Sequence, residues 1–344
     1  MLPRTRWWRE NPYLDLLEDA LRALGVETSA DEHDGLSWRW LLEQRGAVDV
    51  LHFHWLHYHY DRDTWRQSSW ALAKFTSKLM LAKALRYRIV WTAHNLQPHE
   101  PRHPGLDRLC RLAVCRLADH VIVHGEQVRF QLGARFGRRR NVHVLPHPNY
   151  VGVYPDPIDQ EAARRQLALD RTNRVFLCFG ALRPYKGFQE AIVAFNQLPD
   201  DEARLIIAGS PLDQRIAAEI TGLARGDRRI RTVLEFIPRS AVPTYFAAAD
   251  AVVLPFRTIA TSGSVMLAMS FARPVVAPAL GCLPDWVTRE TGILYDAHDA
   301  EALLKAMKRC CELDLETMGR LAYERVARFT AHEVARRHLA VYAN

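Results

Sequence analysis

The sequence predicts an α/β protein of two domains, each with a parallel sheet covered by helices on both faces. Its 344 residues are enough for two hydrophobic cores of ordinary size. Short apolar runs alternate with helical segments along both halves, which is typical of parallel sheets. A segment with four prolines, 146–157, interrupts this alternation and is predicted to be the linker. The expected domains are therefore residues 1–150 and 158–325, followed by a terminal helix in 326–344.

The composition is that of a soluble globular protein, with 49% hydrophobic and 25% charged residues. No apolar run approaches the ~20 residues of a membrane span, and residues 1–13 lack the apolar core of a signal peptide. We therefore expect a cytoplasmic protein. Six cysteines without C-x-x-C spacing predict reduced thiols and no structural zinc. The net charge of +7 indicates an anionic partner, which composition leaves open as a nucleotide, a phospholipid surface or a nucleic acid.

In the first half, Asn11-Pro12 predicts the start of a helix of regularly spaced leucines that ends at Gly25. The elements expected after it are a short strand at 26–28, a helix at 37–44, a strand at 49–54, an amphipathic helix at 64–86, a strand at 88–92, a helix at 106–117, a strand at 120–123, a helix at 127–136 and a strand at 142–145.

In the second half, the apolar run 175–179 predicts a buried strand. The elements expected after it are a helix at 188–198, a strand at 205–208, a helix after Pro211, a strand near Val233, a helix at 241–248, a strand at 251–254, a helix at 264–271, a strand at 274–277 and a helical tail at 300–342. No sequence repeat of fixed period is visible, which argues against a solenoid.

The stretch FGALRPYKG, from Phe179 to Gly187, joins a predicted strand to a predicted helix through a turn that begins at Gly180. Open α/β sheets bind ligands at the carboxyl ends of their strands. Arg183 and Lys186 lie in this loop, so two cations can converge on one anionic group, such as a diphosphate. The alternative is a solvated surface loop with two ordinary charges.

A second turn, Thr261-Ser262-Gly263-Ser264, leads from another predicted strand into a helix. The N–H groups at the start of a helix, together with two hydroxyls, form an anion site. The alternative is that Ser262 or Ser264 only caps the helix. Because the first loop also lies at a strand end of this sheet, the anion site is the favoured interpretation.

The second half resembles the donor-binding domain of GT-B glycosyltransferases of the family 4 type. The resemblance covers about Val175 to Asp296 and consists of FGALRPYKG, LIIAGSP, FIPRSAVPTYFAAADAVVLPF, MLAMSFARPVVAPALGCLPDWV and TGILYD, in this order. It implies two Rossmann-like domains facing each other across a cleft, with the donor in the second, the acceptor in the first and the terminal helix crossing back to the first.

The resemblance also implies roles for single residues. Arg183 and Lys186 would hold the donor diphosphate and act in catalysis, with Gly180 in the same loop. Phe236 and Ile237 would lie against the nucleobase. The turn Thr261, Ser262, Gly263 and Ser264 would hold the sugar and phosphate.

The chain departs from the family at one pair of positions. The usual Glu-x7-Glu would fall at Ile259 and Leu267, and neither is acidic. The first glutamate normally meets the donor sugar and the second the ribose, so Ser262, Gly263 and Ser264 are expected to stand in for them. The donor's base and sugar and the choice between retention and inversion therefore stay open.

The stretch WTAHNLQPHE, from Trp91 to Glu100, follows a strand of the first half and resembles the acceptor-side histidine loop of bacterial relatives. We expect His94 to act on the acceptor hydroxyl or to stabilise charge in the transition state. Asn95, His99 and Glu100 are expected on the acceptor side. The alternative is that these histidines are structural.

The stretch HFHWLHYH, from His52 to His59, places His54 and His57 near a strand end. Histidines and aromatic residues there suit a wall for a sugar acceptor, while a structural role or a metal site are the alternatives. The metal interpretation is the weakest because no carboxylate or cysteine stands at ligand spacing. His124 and His147 hold similar positions and are weaker candidates.

The predicted helix at 64–86 has basic residues and no acidic one, and no Asp or Glu occurs between Thr64 and His99. Such a helix could rest on anionic lipid headgroups, with Trp7 and Trp8 assisting. A helix that packs on the sheet and exposes its lysines explains the pattern equally well.

The sequence therefore predicts a glycosyltransferase that moves a hexose from a GDP- or UDP-linked sugar to a hydroxyl of a saccharide or lipid-linked saccharide in cell-surface polysaccharide synthesis. No metal or cofactor is expected, because Arg183 and Lys186 would neutralise the leaving diphosphate. The alternatives are a sugar-nucleotide epimerase or hydrolase, and an inactive sugar-nucleotide-binding paralogue. A nucleic-acid-binding protein is disfavoured because no motif for it is present.

Overall fold

The computed structural model describes residues 12–28, 36–98, 100–156 and 158–343. Trp7, Trp8, Asn11 and His99, which the sequence analysis singled out, lie outside these residues. The chain divides into two compact units, one of residues 1–148 with 331–344 and one of residues 149–330. Within the described ranges, no helix has the length and apolar character needed to cross a bilayer.

Unit 1 contains a four-stranded parallel sheet in the order β1-β2-β3-β4. The strands are β1 Val50–Phe53, β2 Arg88–Thr92, β3 His120–Val123 and β4 Val142–Val144. The helices before and between them are α1 Tyr13–Ala23, α2 Trp38–Glu43, α3 Trp65–Ala84, α4 Pro104–Leu117 and α5 Glu126–Phe136. The start of α3 is fixed by a capping box in which Thr64 and Gln67 satisfy each other's backbone N–H groups. All these elements were predicted, and one further element, a strand at 26–28, was predicted in addition.

The strand predicted at 26–28 is wrong, because this segment is irregular chain that follows α1 and is not part of the sheet. Gly25 has a φ of +82°, a conformation that terminates helices. The N–H of Val26 then donates to the carbonyl of Leu21 at 3.0 Å, as in a helix C-cap. The β-branched side chain of Val26 packs against the apolar face of α1.

Unit 2 contains a six-stranded parallel sheet in the order β10-β9-β8-β5-β6-β7. Its strands are β5 Arg174–Phe179, β6 Ala203–Ala208, β7 Ile230–Val233, β8 Ala251–Val253, β9 Val275–Pro278 and β10 Gly292–Tyr295. Its helices are α6 Gln160–Gln166, α7 Phe188–Asn196, α8 Gln214–Ala224, α9 Val242–Ala248, α10 Gly263–Ser270, α11 Leu283–Trp286, α12 Ala302–Cys310 and α13 Leu315–Ala327. The order reverses between β5 and β8, which pair although they are not consecutive strands.

The chain returns to unit 1 through its last helix, α14 Ala331–Ala343, which packs along α1. The tail predicted as one helical stretch is thus three helices, α12 to α14. Asn149, the first residue of unit 2, donates from Nδ2 to the carbonyls of Val326 and Ala327 at 2.9 and 3.0 Å. Tyr150, inside the predicted linker, is buried in unit 2 and its N–H donates to Ser270 Oγ at 2.9 Å. The two ends of unit 2 are therefore tied into its own core.

Candidate functional site

The loops after β5, β6 and β8 interlock at the carboxyl edge of the unit 2 sheet, where the strand order reverses. The N–H of Leu182, after β5, donates to the carbonyl of Ser210, after β6, at 2.8 Å. The N–H of Arg257, after β8, donates to the carbonyl of Tyr185 at 2.8 Å. This reversal point is where open α/β sheets bind ligands.

The loop after β5 holds two cations in a single turn. Lys186 is only 8% exposed, and its Nζ lies 2.8 Å from the position that a Cβ on Gly180 would occupy. The ammonium therefore lies over the turn that follows the strand, where the φ of +105° at Gly180 favours glycine. The N–H of Lys186 donates to the carbonyl of Arg183 at 3.0 Å, and Arg183 itself is half-buried. Two cationic residues within one turn suit a polyanionic ligand.

Gly187 brings the loop after β5 into backbone contact with the loop after β8. It has a φ of +66°, and a Cβ there would lie 2.0 Å from the carbonyl oxygen of Pro255. Directly beyond this contact, Arg257 forms an ion pair with Glu190 of α7. Arg257 and Glu190 were not among the residues expected from the sequence. Arg257 lies four residues after the end of a buried strand, as Arg183 does, and this position is the signal that could have identified it.

The serine-rich turn after β8 begins α10, and the structure shows its cap. Ser262 is buried, and its Oγ accepts a hydrogen bond from the N–H of Val265 at 3.3 Å. The capping role that the sequence left as an alternative is therefore present. Thr261, Gly263 and Ser264 are half-buried beside it. That this turn also binds the donor stays a prediction.

The two residues expected near the nucleobase lie in the loop after β7 and differ in burial. Phe236 is 53% exposed, whereas Ile237 is buried. An exposed aromatic ring at a strand end can stack on a base. The contact itself stays a prediction.

A mostly buried group of histidines and tyrosines, here called the histidine layer, covers the carboxyl ends of the unit 1 strands. Two helices contribute Tyr13 of α1 and His338 and Tyr342 of α14. The strands contribute His52 within β1, His54 just after β1, His94 after β2, His124 after β3 and His147 after β4. His54 Nδ1 lies 3.0 Å from His94 Nε2, and the ring of Tyr13 meets that of His94 edge-on at 4.8 Å. His52 bridges Tyr342 Oη at 2.7 Å and Thr92 Oγ1 at 2.8 Å.

Burial keeps the imidazoles of this layer neutral. It lowers the pKa of His54 and His94 well below the usual 6.5, and the neighbouring histidines lower it further. It also lowers the pKa of His124 to about 4, of His147 to about 3 and of His338 to about 4. A neutral imidazole can donate one hydrogen bond to a hydroxyl and accept another. Both roles expected for His94, action on the acceptor hydroxyl and stabilisation of charge in the transition state, stay predictions.

The remaining acceptor-side candidates lie around the layer. His57 is in a 3-10 turn, Leu56–His59, with its ring 4.3 Å from that of Tyr58. Asn95 is half-buried and Glu100 is exposed, and His99 is outside the described residues. No group of three or more histidine, cysteine, aspartate or glutamate side chains among the described residues is placed to hold a metal ion.

Residues 173–312 match the sequence profile of the family described as Glycosyl transferases group 1. A relative from Xanthomonas campestris pv. campestris, a GDP-mannose:glycolipid 4-beta-D-mannosyltransferase, is 29% identical over 303 residues, which is 86% of this chain and 79% of the relative.

Two solved structures share the fold. Sucrose-phosphate synthase from Thermosynechococcus elongatus superposes with a TM-score of 0.73 at 20% identity, over 96% of this chain and 92% of that one. The Anabaena protein HepE, solved in complex with UDP, superposes with a TM-score of 0.71 at 20% identity, over 89% of this chain and 81% of that one. The two Rossmann-like α/β units predicted from the sequence are confirmed as the GT-B fold.

Proposed function

We propose that this chain, a glycosyltransferase of the GT-B fold similar to the family 4 type, transfers a hexose from a GDP-linked sugar to a hydroxyl of a lipid-linked saccharide. The observation that supports it most is the turn in which Arg183 and Lys186 lie together at the reversal point of the unit 2 sheet. A leaving diphosphate held there needs no metal ion in principle, because the two cations neutralise its developing charge.

The relative that acts on GDP-mannose and a glycolipid supports guanine over uracil and a lipid-linked acceptor. HepE, bound to UDP, supports the other base but only through its fold. Thermal-shift measurements with GDP and UDP decide between them, and we expect the larger stabilisation from GDP. We further propose that transfer takes place at the inner face of the plasma membrane in cell-surface polysaccharide synthesis.

The test of the donor site is the removal of either cation. Arg183→Ala and Lys186→Met should each weaken GDP binding by about 10- to 150-fold, because a hydrogen bond to a charged group contributes about 1.5–3 kcal/mol, and should abolish detectable transfer. The methionine keeps the buried alkyl chain of Lys186. Arg215→Ala, on the exposed face of α8, is the matched control. Normal transfer by either site variant with an unchanged melting temperature would refute the proposal.

An inactive sugar-nucleotide-binding protein is the second candidate, because Ile259 and Leu267 stand where the family has glutamates. It predicts GDP-sugar binding without release of GDP, in the presence or absence of a lipid-linked acceptor. An epimerase or hydrolase instead consumes the donor completely without any acceptor. Product analysis with and without the acceptor therefore separates the three possibilities.

A further inference from the structure

The helices α2 and α3 of unit 1 expose large apolar side chains together with lysines. We call this surface the α2–α3 face and define it by Trp38, Trp70, Lys74 and Lys78. Trp70 is 65% exposed and Trp38 45%, and Leu42, one turn after Trp38 on α2, is exposed as well. Single exposed apolar residues are ordinary, but several on adjoining helices mark a contact surface.

The helical spacing of α3 separates this face from the core. Ser68, Leu72, Phe75, Leu79 and Ala82 are buried and recur at intervals of three and four residues. Trp70, Lys74 and Ser77 follow the same intervals on the opposite side and are exposed. The outward side of α3 therefore carries an exposed tryptophan next to a lysine.

The lysines lie beside the tryptophans. Lys74 Nζ is 5.1 Å from the centre of the Trp70 ring, and Lys78 Nζ is 5.7 Å from that of Trp38, so the second pair joins α3 to α2. An indole with an ammonium next to it matches the boundary of an anionic bilayer, where the ring enters the headgroup region and the charge meets phosphate.

The charged side chains of α3 around this face are all positive. No acidic residue occurs in α3, and the glutamate of α2, Glu43, is paired with Arg39 at 2.5 Å. Lys83, which the sequence analysis counted among the basic residues of α3, belongs to another surface, because it pairs with Asp119. Arg66 is exposed in the first turn of α3 and adds to the positive charge.

We infer that the α2–α3 face is a docking surface for an anionic phospholipid bilayer. This inference deepens the proposed function, since an enzyme that acts on a lipid-linked saccharide must meet its acceptor at a membrane. The bilayer is favoured over a second copy of the chain because two such faces would bring lysines of like charge together.

Sedimentation with vesicles tests the surface without donor or acceptor. The full chain should bind phosphatidylcholine vesicles that contain phosphatidylglycerol, bind phosphatidylcholine alone much more weakly, and lose binding as salt rises. Lys74→Gln with Lys78→Gln should lower the partition coefficient about 25-fold, at about fivefold per lysine. Trp70→Gln should lower it on the order of tenfold.

The control variants remove the same kinds of side chain, an aromatic ring or a pair of positive charges, from exposed positions on other helices. Phe130→Gln removes an exposed aromatic ring of α5, and Lys308→Gln with Arg309→Gln removes two exposed charges of α12. Both should bind vesicles like the unaltered chain. Equal binding by Trp70→Gln and Phe130→Gln, equal binding to both vesicle types, or a dimer that Trp70→Gln dissociates would each overturn the inference.

Donor binding separates this inference from the proposed function. Trp70→Gln should keep the full thermal shift with GDP and normal transfer to a short-chain, water-soluble acceptor. If the chain binds vesicles but transfers no sugar, the proposed function fails and the docking surface stands. If it transfers to the soluble acceptor but ignores vesicles, the docking surface fails alone.

Discussion

The histidine layer of unit 1 should make this unit sensitive to acid. The pKa values of His124, His147 and His338 are lowered by burial to about 4, 3 and 4. The unfolded chain, with histidine pKa values near 6.5, binds more protons than the folded chain below that pH. The stability that these neutral histidines provide is therefore complete above about pH 6.5 and is lost as the pH falls toward 4.

The size of the effect follows from the linkage relation. At pH 5 an unfolded histidine is stabilised by about 2 kcal/mol through protonation, and a buried one with a pKa of 4 gains almost nothing. Three such residues lower the free energy of unfolding by about 6 kcal/mol between pH 7 and pH 5, which is comparable with the total stability of a domain. The pKa values of His52 and His54 are shifted in the same direction and add to it.

Native-state hydrogen exchange at pH 7, 6 and 5 measures this loss for each unit separately. After correction for the intrinsic exchange rate, protection of β1 to β4 should fall steeply with pH. Unit 2 is the internal control, because His298 is the only histidine between residues 149 and 330 and it is exposed. Equal pH dependence in the two units would refute the reasoning.

A pair of variants on α14 tests whether the pH dependence of stability arises from the buried histidines of the layer. His338→Leu removes a fully buried imidazole whose Nε2 has no hydrogen-bond partner among the described residues. It should reduce the difference in unfolding free energy between pH 7 and pH 5 by about 2 kcal/mol. His332→Leu removes an exposed imidazole of the same helix, solvated in both states, and should leave that difference unchanged.

Three further predictions concern unit 2. Asn149→Ala should lower its free energy of unfolding in urea by about 1–3 kcal/mol, because two carbonyls in the last turn of α13 lose their donor. Ser262→Ala should cost about 1 kcal/mol in the same assay, because α10 loses its cap; an additional loss of GDP affinity would show that the turn binds the donor. Gly187→Ala should abolish the GDP thermal shift, since its Cβ would overlap the carbonyl of Pro255, and normal binding would contradict that contact.

The sequence predicted every strand except β10, because most of the strands are short apolar runs; β4 and β7, which are half-buried or partly exposed, were predicted from their place in the alternation of strands and helices. It missed β10, which is four residues long at the edge of the sheet and half-buried for most of its length. It also missed α6 and α11, which are seven and four residues long. The residues of α6, QEAARRQ, include no large apolar side chain, and α11 is a single turn, LPDW, so neither shows the apolar pattern by which the similarly short α2 and α9 were predicted.

Residues of the candidate site could be predicted from sequence only where they lie close together along the chain. Arg183 and Lys186 lie in one turn, so their neighbourhood could be predicted from sequence. The pair of Arg257 with Glu190 joins residues on different loops, and only the pairing of β5 with β8 brings those loops together. The same limit applies in unit 1, where His338 reaches the other histidines because α14 packs on α1.

The two sheets carry different side chains at their carboxyl edges, cations in unit 2 and imidazoles in unit 1. This difference explains why the loop after β5 could be interpreted from sequence and the histidine layer could not. In unit 2, glycines bring the backbones of two loops within contact distance and leave a buried ammonium beside the turn after β5. In unit 1, the strand ends carry imidazoles that lie against one another, as the 3.0 Å contact between His54 and His94 shows. Spacing in the sequence is the same for histidines that meet a ligand and for histidines that meet each other. The acid sensitivity of unit 1 is a property that only the second arrangement produces.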